Sequence, residues 1–367
     1  MPARLALSRD GAPRFALSLT ADYTGRRHRH IVRSSSNGRF RSTTMHQAVV
    51  RFLVAVALTT ALLACISACG GGSTSAAPAA PSPLPSASES TADPAAQAVV
   101  AGMLAELPAR VAAFLAQEQA DLPRNPQNAI WMQAKIAMLQ DPGLAARIIA
   151  GKFYETGRVG SSKGSQIPIV AIFPAEEMRS AAAEAVSRTA LSLTALEGFI
   201  GVPFPPASIR IWYGFAVGAS GGGGVITSED RATFEARRAS RPIPAEYFAL
   251  FDHELAHTWI GHESLTGFLE LNAFNTIETG SHDPSAWWYA KTLTPYVPFN
   301  DNVAHLALLD VYRLVGRDPM ARAYRAIYLL APPYGTMLSA ECKQAFIDEA
   351  PAAEKARVAG ILERVTY

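Results

Sequence analysis

The segment 250–259 (LFDHELAHTW) constrains the fold more than any other, because it holds two histidines and a glutamate at a fixed spacing. His253 and His257 are four residues apart, so on a helix they project from one face, one turn above the other. Both imidazoles can then bind one metal ion. Glu254 follows the first histidine, where it can accept a proton from water at that metal. The pattern predicts a buried helix with a zinc site for hydrolysis.

The charge of the chain is divided between a basic start and an acidic remainder. Residues 1–51 contain ten Arg, no Lys and two acidic residues, and the whole chain has a net charge of +2. The part after residue 51 therefore carries −6. A protein of this charge lacks the basic surface that binds phosphate backbones. We expect no nucleic-acid partner, and the sequence indicates no oligomeric state.

The stretch 52–68 has the features of a signal peptide. It is uncharged, follows Arg51 and ends in small residues. We expect residues 1–68 to be a signal region with Met45 as the favoured start. The phrase Ile66-Ser67-Ala68-Cys69 resembles the bacterial lipoprotein signal, which implies a lipid on Cys69.

A lipidated Cys69 would make the protein an exported membrane lipoprotein on the periplasmic or cell-surface side. An uncleaved anchor helix is the alternative, and cleavage before Cys65 is a weaker one. With either the lipid on Cys69 or an anchor helix, the rest of the chain would be exported. Residues 69–96 are rich in Gly, Ser, Ala and Pro, so we expect a flexible linker.

The remaining chain predicts an α+β fold. Apolar residues at helical spacing predict a helical N-terminal segment over 97–165, followed by one domain over 166–367. Within that domain the pattern predicts strands at 167–173 and 209–215, an edge strand at 225–227 and a helix over 175–200 that ends at Gly201. Helices predominate after residue 244.

The phrase His253–Gly261 (HELAHTWIG) resembles the zinc helix of gluzincin metallopeptidases, including the aminopeptidase N-like families. Residues 199–211 are similar to the helix, turn and strand that enter that catalytic domain, and residues 315–326 to its closing helices. The resemblance implies a thermolysin-like domain with a small mixed sheet, a zinc helix and a helical C-terminal part. It also implies Zn²⁺ as cofactor and a peptide or protein as substrate.

In that superfamily the third zinc ligand is a Glu on the next helix. Glu270 is favoured here because it lies within an apolar run, where a carboxylate needs a partner. Glu278 is the alternative, since its spacing from His257 is closer to that of the family. Neither Glu lies in the usual WLxEG phrase.

Further family features are only partly recognisable. The glycine-rich 221–227 occupies the place of the substrate-binding edge strand, to which a peptide can add by backbone hydrogen bonds. Glu229 is the nearest acid to the amine-binding motif. Tyr324, Tyr328 and Tyr334 are candidates for an oxyanion-stabilising tyrosine. Because these motifs are incomplete, the alternative hypothesis is a catalytically inactive gluzincin-fold lipoprotein with a binding or envelope-structural role.

Overall fold

Helices make up most of the structure, a computed structural model that describes residues 93–237, 246–281, 284, 300–331 and 338–365. Eleven α-helices lie within these residues. They are α1 (Pro94–Asp121), α2 (Ala129–Leu139), α3 (Leu144–Gly151), α4 (Arg179–Ile200), α5 (Arg231–Arg237), α6 (Glu246–Ala256), α7 (Glu263–Thr279), α8 (Asn300–Val315), α9 (Arg317–Leu330), α10 (Ala340–Glu349) and α11 (Lys355–Glu363).

A five-stranded mixed sheet lies between the N-terminal and the later helices. Its strands are β1 (Tyr154–Gly160), β2 (Gln166–Ile172), β3 (Ile209–Tyr213), β4 (Ala219–Gly222) and β5 (Val225–Ser228). The strand order is β1-β2-β3-β5-β4. The β2-β3 and β3-β5 pairs are parallel, whereas β1 and β4 are antiparallel to their neighbours. The predicted α+β class is confirmed.

Two strands differ from the expectation. The segment predicted as an edge strand, β5, is internal, because the glycine run before it forms β4 and pairs along its outer side. The stretch 154–160 forms β1, although the sequence pattern predicted only helix there. It pairs with β2 over its whole length, and this pairing outweighs the weak strand propensity of a sequence with two glycines.

Local sequence explains where the longest helices begin and end. The Asp93 side chain caps α1 by accepting a hydrogen bond from the Ala95 N–H at 3.0 Å, and Pro94 suits the first helical position. Helix α4 ends at Gly201, which adopts a φ of 70° that glycine tolerates without strain. The predicted end of this helix at Gly201 is confirmed.

The two faces of the sheet bury different side chains. Ile169 and Ala171 point to the side of α4, α6 and α7, and they belong to the larger hydrophobic core. Val170 and Ile172 alternate with them and point to the opposite side, where α1 packs. The sheet therefore separates the α1 layer from the layer that holds the two histidines.

Helix α1, with the turn that follows it to Arg124, is long and apolar enough to cross a membrane. One of its faces is buried against the sheet through Val100, Met103, Leu107 and Phe114. A core helix of this kind passes the same test of length and composition. Contacts join the described residues between 93 and 365 into one compact unit.

The predicted signal region 1–68, Cys69 and residues 69–92 of the predicted linker lie outside the described residues. The last linker positions are different, because Pro94 to Ala96 already belong to α1.

Candidate metal centre

Helix α6 presents His253 and His257 to the same side. Phe251 and Leu255 are fully buried and hold the helix in the core. The helix ends at Ala256, yet the His257 N–H still donates to the His253 carbonyl at 3.3 Å. The helical spacing of the two imidazoles is therefore kept beyond the last helical residue.

A tight turn after α6 brings a third side chain to the histidines. The indole N–H of Trp259 donates to the Val202 carbonyl at 3.0 Å, and Ile260 is fully buried. These contacts fix the turn and place Glu263 at the first position of α7. Glu263 lies only six residues after His257 in the sequence.

Three donor groups converge in the space between α6 and α7. The Nε2 atoms of His253 and His257 are 3.1 Å apart. Carboxylate oxygens of Glu263 lie 3.2 Å from Nε2 of His253 and 3.5 Å from Nε2 of His257. Ligand atoms on a tetrahedral ion with zinc–nitrogen and zinc–oxygen bonds of normal length lie roughly 3.3 Å apart. The three groups thus have the spacing of a metal site.

The other ring nitrogens determine which tautomers face this space. Nδ1 of His253 lies 3.0 Å from Oε2 of Glu270, and Nδ1 of His257 lies 3.2 Å from the carbonyl oxygen of Ile260. Both oxygens only accept, so each Nδ1 carries a proton and donates it. In the neutral rings both Nε2 atoms then offer lone pairs to one point, together with a carboxylate. A proton on Nε2 of His253 satisfies these contacts in the metal-free protein, and a metal ion that replaces this proton would find two Nε2 lone pairs and a carboxylate, so the residues fit a metal ion.

The electrostatics of the metal-free side chains point the same way. Burial alone would lower the pKa of His253, but hydrogen bonds with Glu263 and Glu270 raise it well above its usual value. Burial likewise opposes ionisation of Glu263, and the two histidines nevertheless hold the pKa of Glu263 far below its usual range. The site therefore favours positive charge.

Glu270 and Glu278, the two expected third ligands, take different places. Glu270 contacts Nδ1 of His253, on the side of the ring away from His257 and Glu263. Glu278 forms an ion pair with Arg188 at 2.5 Å. The structure brings Glu263 to the histidines instead, a residue that the sequence analysis missed. Its only signal was an acid at the start of the next helix, separated from His257 by a short turn.

Arg188 of α4 holds α6 in place through an ion pair with Asp252. Its guanidinium donates to both carboxylate oxygens of Asp252, at 3.1 and 2.6 Å, and Ser192 donates to the same carboxylate. Asp252 is fully buried and directly precedes His253. This ion pair ties α6 to α4 and so holds the backbone next to the first histidine.

Glu254 lies on α6 beside the edge strand of the sheet. Its side chain is buried, and burial raises its pKa, an effect that the nearby histidines reduce. Gly221 of β4 packs directly on this residue, because a Cβ at position 221 would lie 2.6 Å from both the Cβ and the backbone oxygen of Glu254. The strand and the helix that carries Glu254 are thus in backbone contact.

The remaining candidates are engaged elsewhere. The hydroxyl of Tyr324 donates to the Leu265 carbonyl at 3.0 Å, and the ring is fully buried. Tyr328 packs partly buried against the core. Glu229 is fully buried in an ion pair with Arg237. Tyr334 lies outside the described residues.

No protein-family model matches the chain, and no curated protein matches it. Among solved structures, aminopeptidase A of Legionella pneumophila in complex with aspartic acid matches with a TM-score of 0.40 and 13% identity. The match covers 58% of this chain and 27% of the Legionella chain. This protein therefore spans about a quarter of its neighbour's length. A similarity of this size assigns neither the family nor the activity.

Proposed function

We propose that the protein is a zinc-dependent metallopeptidase of gluzincin-like fold, with His253, His257 and Glu263 as metal ligands. The observation that carries this proposal is the convergence of the Nε2 atoms of both histidines and the carboxylate of Glu263, which lie 3.1 to 3.5 Å from one another. Glu270 supports the site from outside, since it accepts the Nδ1 proton of His253. Carboxylates in this position orient metal-bound histidines and increase their basicity.

The donor set favours zinc over other common metals. Two imidazoles and one carboxylate are typical of catalytic zinc sites, which leave a further position for water or substrate. Magnesium and calcium prefer sets made only of oxygen atoms. A bound zinc ion supplies Lewis acidity, which polarises a carbonyl group and makes water a stronger acid.

The chain itself would supply a base and a binding strand. Glu254, whose pKa burial raises above its usual value, would accept the proton that the attacking water loses. The strand β4 lies at the edge of the sheet and packs on Glu254 through Gly221. An extended peptide that pairs with this edge would pass beside the base, which positions its carbonyl carbon for attack.

Metal content and hydrolysis of the full chain test this proposal. We expect about one zinc per chain by elemental analysis and cleavage of peptides from a mixed library, identified by mass spectrometry. Glu254→Gln should keep the zinc and lose cleavage, because the amide cannot accept the proton. A zinc-free protein overturns the metal site. Retained cleavage in Glu254→Gln overturns the role of this base, and zinc without cleavage of any peptide favours the non-catalytic binding role.

We also propose that the domain is exported and held at a membrane by a lipid on Cys69. The support is the apolar run 52–68 and the small residues before this cysteine. Membrane fractionation of a bacterium that expresses the full chain, with mass spectrometry of its N-terminal peptide, tests this. Cys69→Ser should release the protein from the membrane fraction, whereas Cys65→Ser should not. An unchanged distribution in Cys69→Ser would contradict the lipid anchor.

A further inference from the structure

A surface cavity lies on the opposite side of β4 from the metal centre. It has a volume of about 110 Å³ and is formed by the end of α1, the turns after it and residues 216–220. Two carboxylates and three side-chain amides line it, and the described lining residues include no Lys, Arg or His. The cavity is large enough for the end of a long side chain, given that one water takes up about 30 Å³ in the liquid.

One carboxylate oxygen of Glu118, a residue that lines this cavity, accepts no hydrogen bond from the described part of the chain. Its side chain is 5% exposed, and its Oε1 accepts the Val217 N–H at 2.9 Å. Its Oε2 is buried and finds no partner among the residues that the structure describes. Burial raises the pKa of this carboxyl group, and the hydrogen bond from Val217 and the charge of Lys135 offset that effect only in part. A buried carboxylate oxygen without a hydrogen-bond donor destabilises the folded protein. A ligand that donates a hydrogen bond to this oxygen would therefore gain binding free energy.

Cations of the protein near the cavity are already engaged. Nζ of Lys135 lies 2.6 Å from Oδ2 of Asp230 and 2.7 Å from the Gly214 carbonyl. Arg237 is paired with Glu229 at 2.5 Å. The charge of Lys135 lowers the pKa of Glu118 and so offsets part of the effect of burial, but Oε2 of Glu118 accepts no hydrogen bond from either side chain. Asp121, one turn further along α1, adds a second carboxylate to the lining, and Arg124, which lies 3.7 Å from it, is a solvent-exposed partner that a substrate cation can displace.

The edge strand connects this cavity to the metal centre. Side chains of a strand alternate between the two faces, and residues paired across strands share a face. The Cβ direction of Gly221 points at Glu254 on α6, so the neighbouring Ser220 faces the other way, and Ser220 lines the cavity. A peptide residue paired with Ser220 therefore points towards the cavity, while the next residue lies beside the base.

We propose that this cavity is a specificity site for a positively charged substrate side chain, Lys or Arg, whose cationic group binds Glu118 with Asp121 at the rim. The proposal rests on the proposed peptidase function, because it assumes that substrate pairs with β4. The substrate class would then be peptides with a basic residue next to the one that lies over Gly221. A guanidinium or ammonium donates to the free oxygen and neutralises the acidic lining.

Peptide binding to the zinc-loaded full chain carrying Glu254→Gln tests the site. The probes are five-residue alanine peptides, acetylated and amidated at their ends, with one Lys or one norleucine at each position in turn. Isothermal titration calorimetry should show one position at which Lys binds about 10-fold more tightly than norleucine, the gain expected for a charge-assisted hydrogen bond. Glu118→Gln should remove this preference and leave the affinity for norleucine peptides unchanged.

Two further variants keep the result interpretable. Glu106→Gln removes one negative charge from the same helix and should keep the preference, because Glu106 lies outside the lining. Asp121→Asn should reduce the preference even if Glu118→Gln fails to fold. Equal affinities for Lys and norleucine at every position would overturn the proposal. A preference for Lys that remains in both Glu118→Gln and Asp121→Asn would also overturn it. The same holds if alanine peptides without Lys, but with a free terminal amino group, bind as tightly as the Lys peptide.

Failure of this site can be distinguished from failure of the peptidase function. The binding measurement needs no hydrolysis, and zinc content is determined separately on the same protein. Zinc and cleavage without a Lys preference would reject the cavity and retain the enzyme. A Lys preference in a protein that cleaves nothing would retain the cavity and reject the enzyme.

Discussion

Nδ1 of His253 donates to Oε2 of Glu270 at 3.0 Å, so this carboxylate directs the other ring nitrogen of His253 towards Glu263. The two glutamates thus have separable effects on the metal. Glu263→Gln should reduce zinc affinity far more than Glu270→Gln, for which we expect a loss of about 10- to 100-fold, the range for partners of metal ligands. Competition with a chromogenic chelator measures both. A larger loss in Glu270→Gln than in Glu263→Gln would show that Glu270 is the ligand.

The ion pair between Arg188 and Asp252 should be a main source of stability around α6. Arg188→Met leaves a fully buried carboxylate without two of its hydrogen bonds, so we expect the free energy of unfolding to fall by about 3–5 kcal/mol. Glu278→Gln is the control. Glu278 is 43% exposed, and the loss of its contact with Arg188 should cost about 1 kcal/mol or less. Denaturant unfolding measures both, and equal effects of the two variants would contradict the assignment.

The contact between Gly221 and Glu254 leaves no room for a side chain. Gly221→Ala places a Cβ 2.6 Å from the Glu254 backbone oxygen, so β4 or α6 must shift. We expect kcat/KM for peptide cleavage to fall by about 10- to 100-fold, because small displacements at a reacting centre are costly.

The matched control for this variant is Gly102→Ala on α1, where an added Cβ meets no atom within 4 Å. It should leave kcat/KM unchanged and increase the free energy of unfolding by about 0.5–1 kcal/mol. Unchanged kcat/KM in Gly221→Ala would show that the strand is not part of the active site.

His262 should make the fold sensitive to moderate acid. Burial lowers the pKa of His262 from 6.5 to about 4. Between pH 6.5 and 4, His262 is therefore protonated in the unfolded chain but stays neutral in the folded protein. The stabilisation by this group is complete above pH 6.5 and falls by about 3 kcal/mol as the pH drops to 4.

Urea unfolding of wild type and His262→Gln in the presence of a chelator checks this, because metal binding then makes no contribution. The variant should lose less stability than wild type between pH 6.5 and 4. Parallel pH profiles for the two proteins would contradict the assignment to His262.

Much of the fold was predictable because its signals are local. The end of α4 at Gly201 and the apolar runs of β2 and β3 are written in short stretches of sequence. The place of β5 inside the sheet was not predictable. It depends on the hairpin that β5 forms with β4, and the four residues of β4, two of them glycine, have too weak a strand propensity to indicate a strand.

The site likewise combines features set by local sequence with features set by contacts between distant residues. The spacing of His253 and His257 predicted that both imidazoles face one side, and a helix makes this a local property. The position of Glu263 depends on the turn fixed by Trp259 and the Val202 carbonyl, which are far apart in sequence. The cavity at Glu118 depends on how α1 lies on the sheet, so no local pattern indicated it.

The short turn between α6 and α7 has a consequence for assembly of the protein. All three groups around the metal position come from the eleven consecutive residues 253–263. Closing so short a loop costs little chain entropy, and metal binding to such a loop contributes directly to its ordering. On the proposed zinc function, the ion would bind these two helices before the C-terminal helices dock, and it would act as a nucleus for the core that later surrounds it.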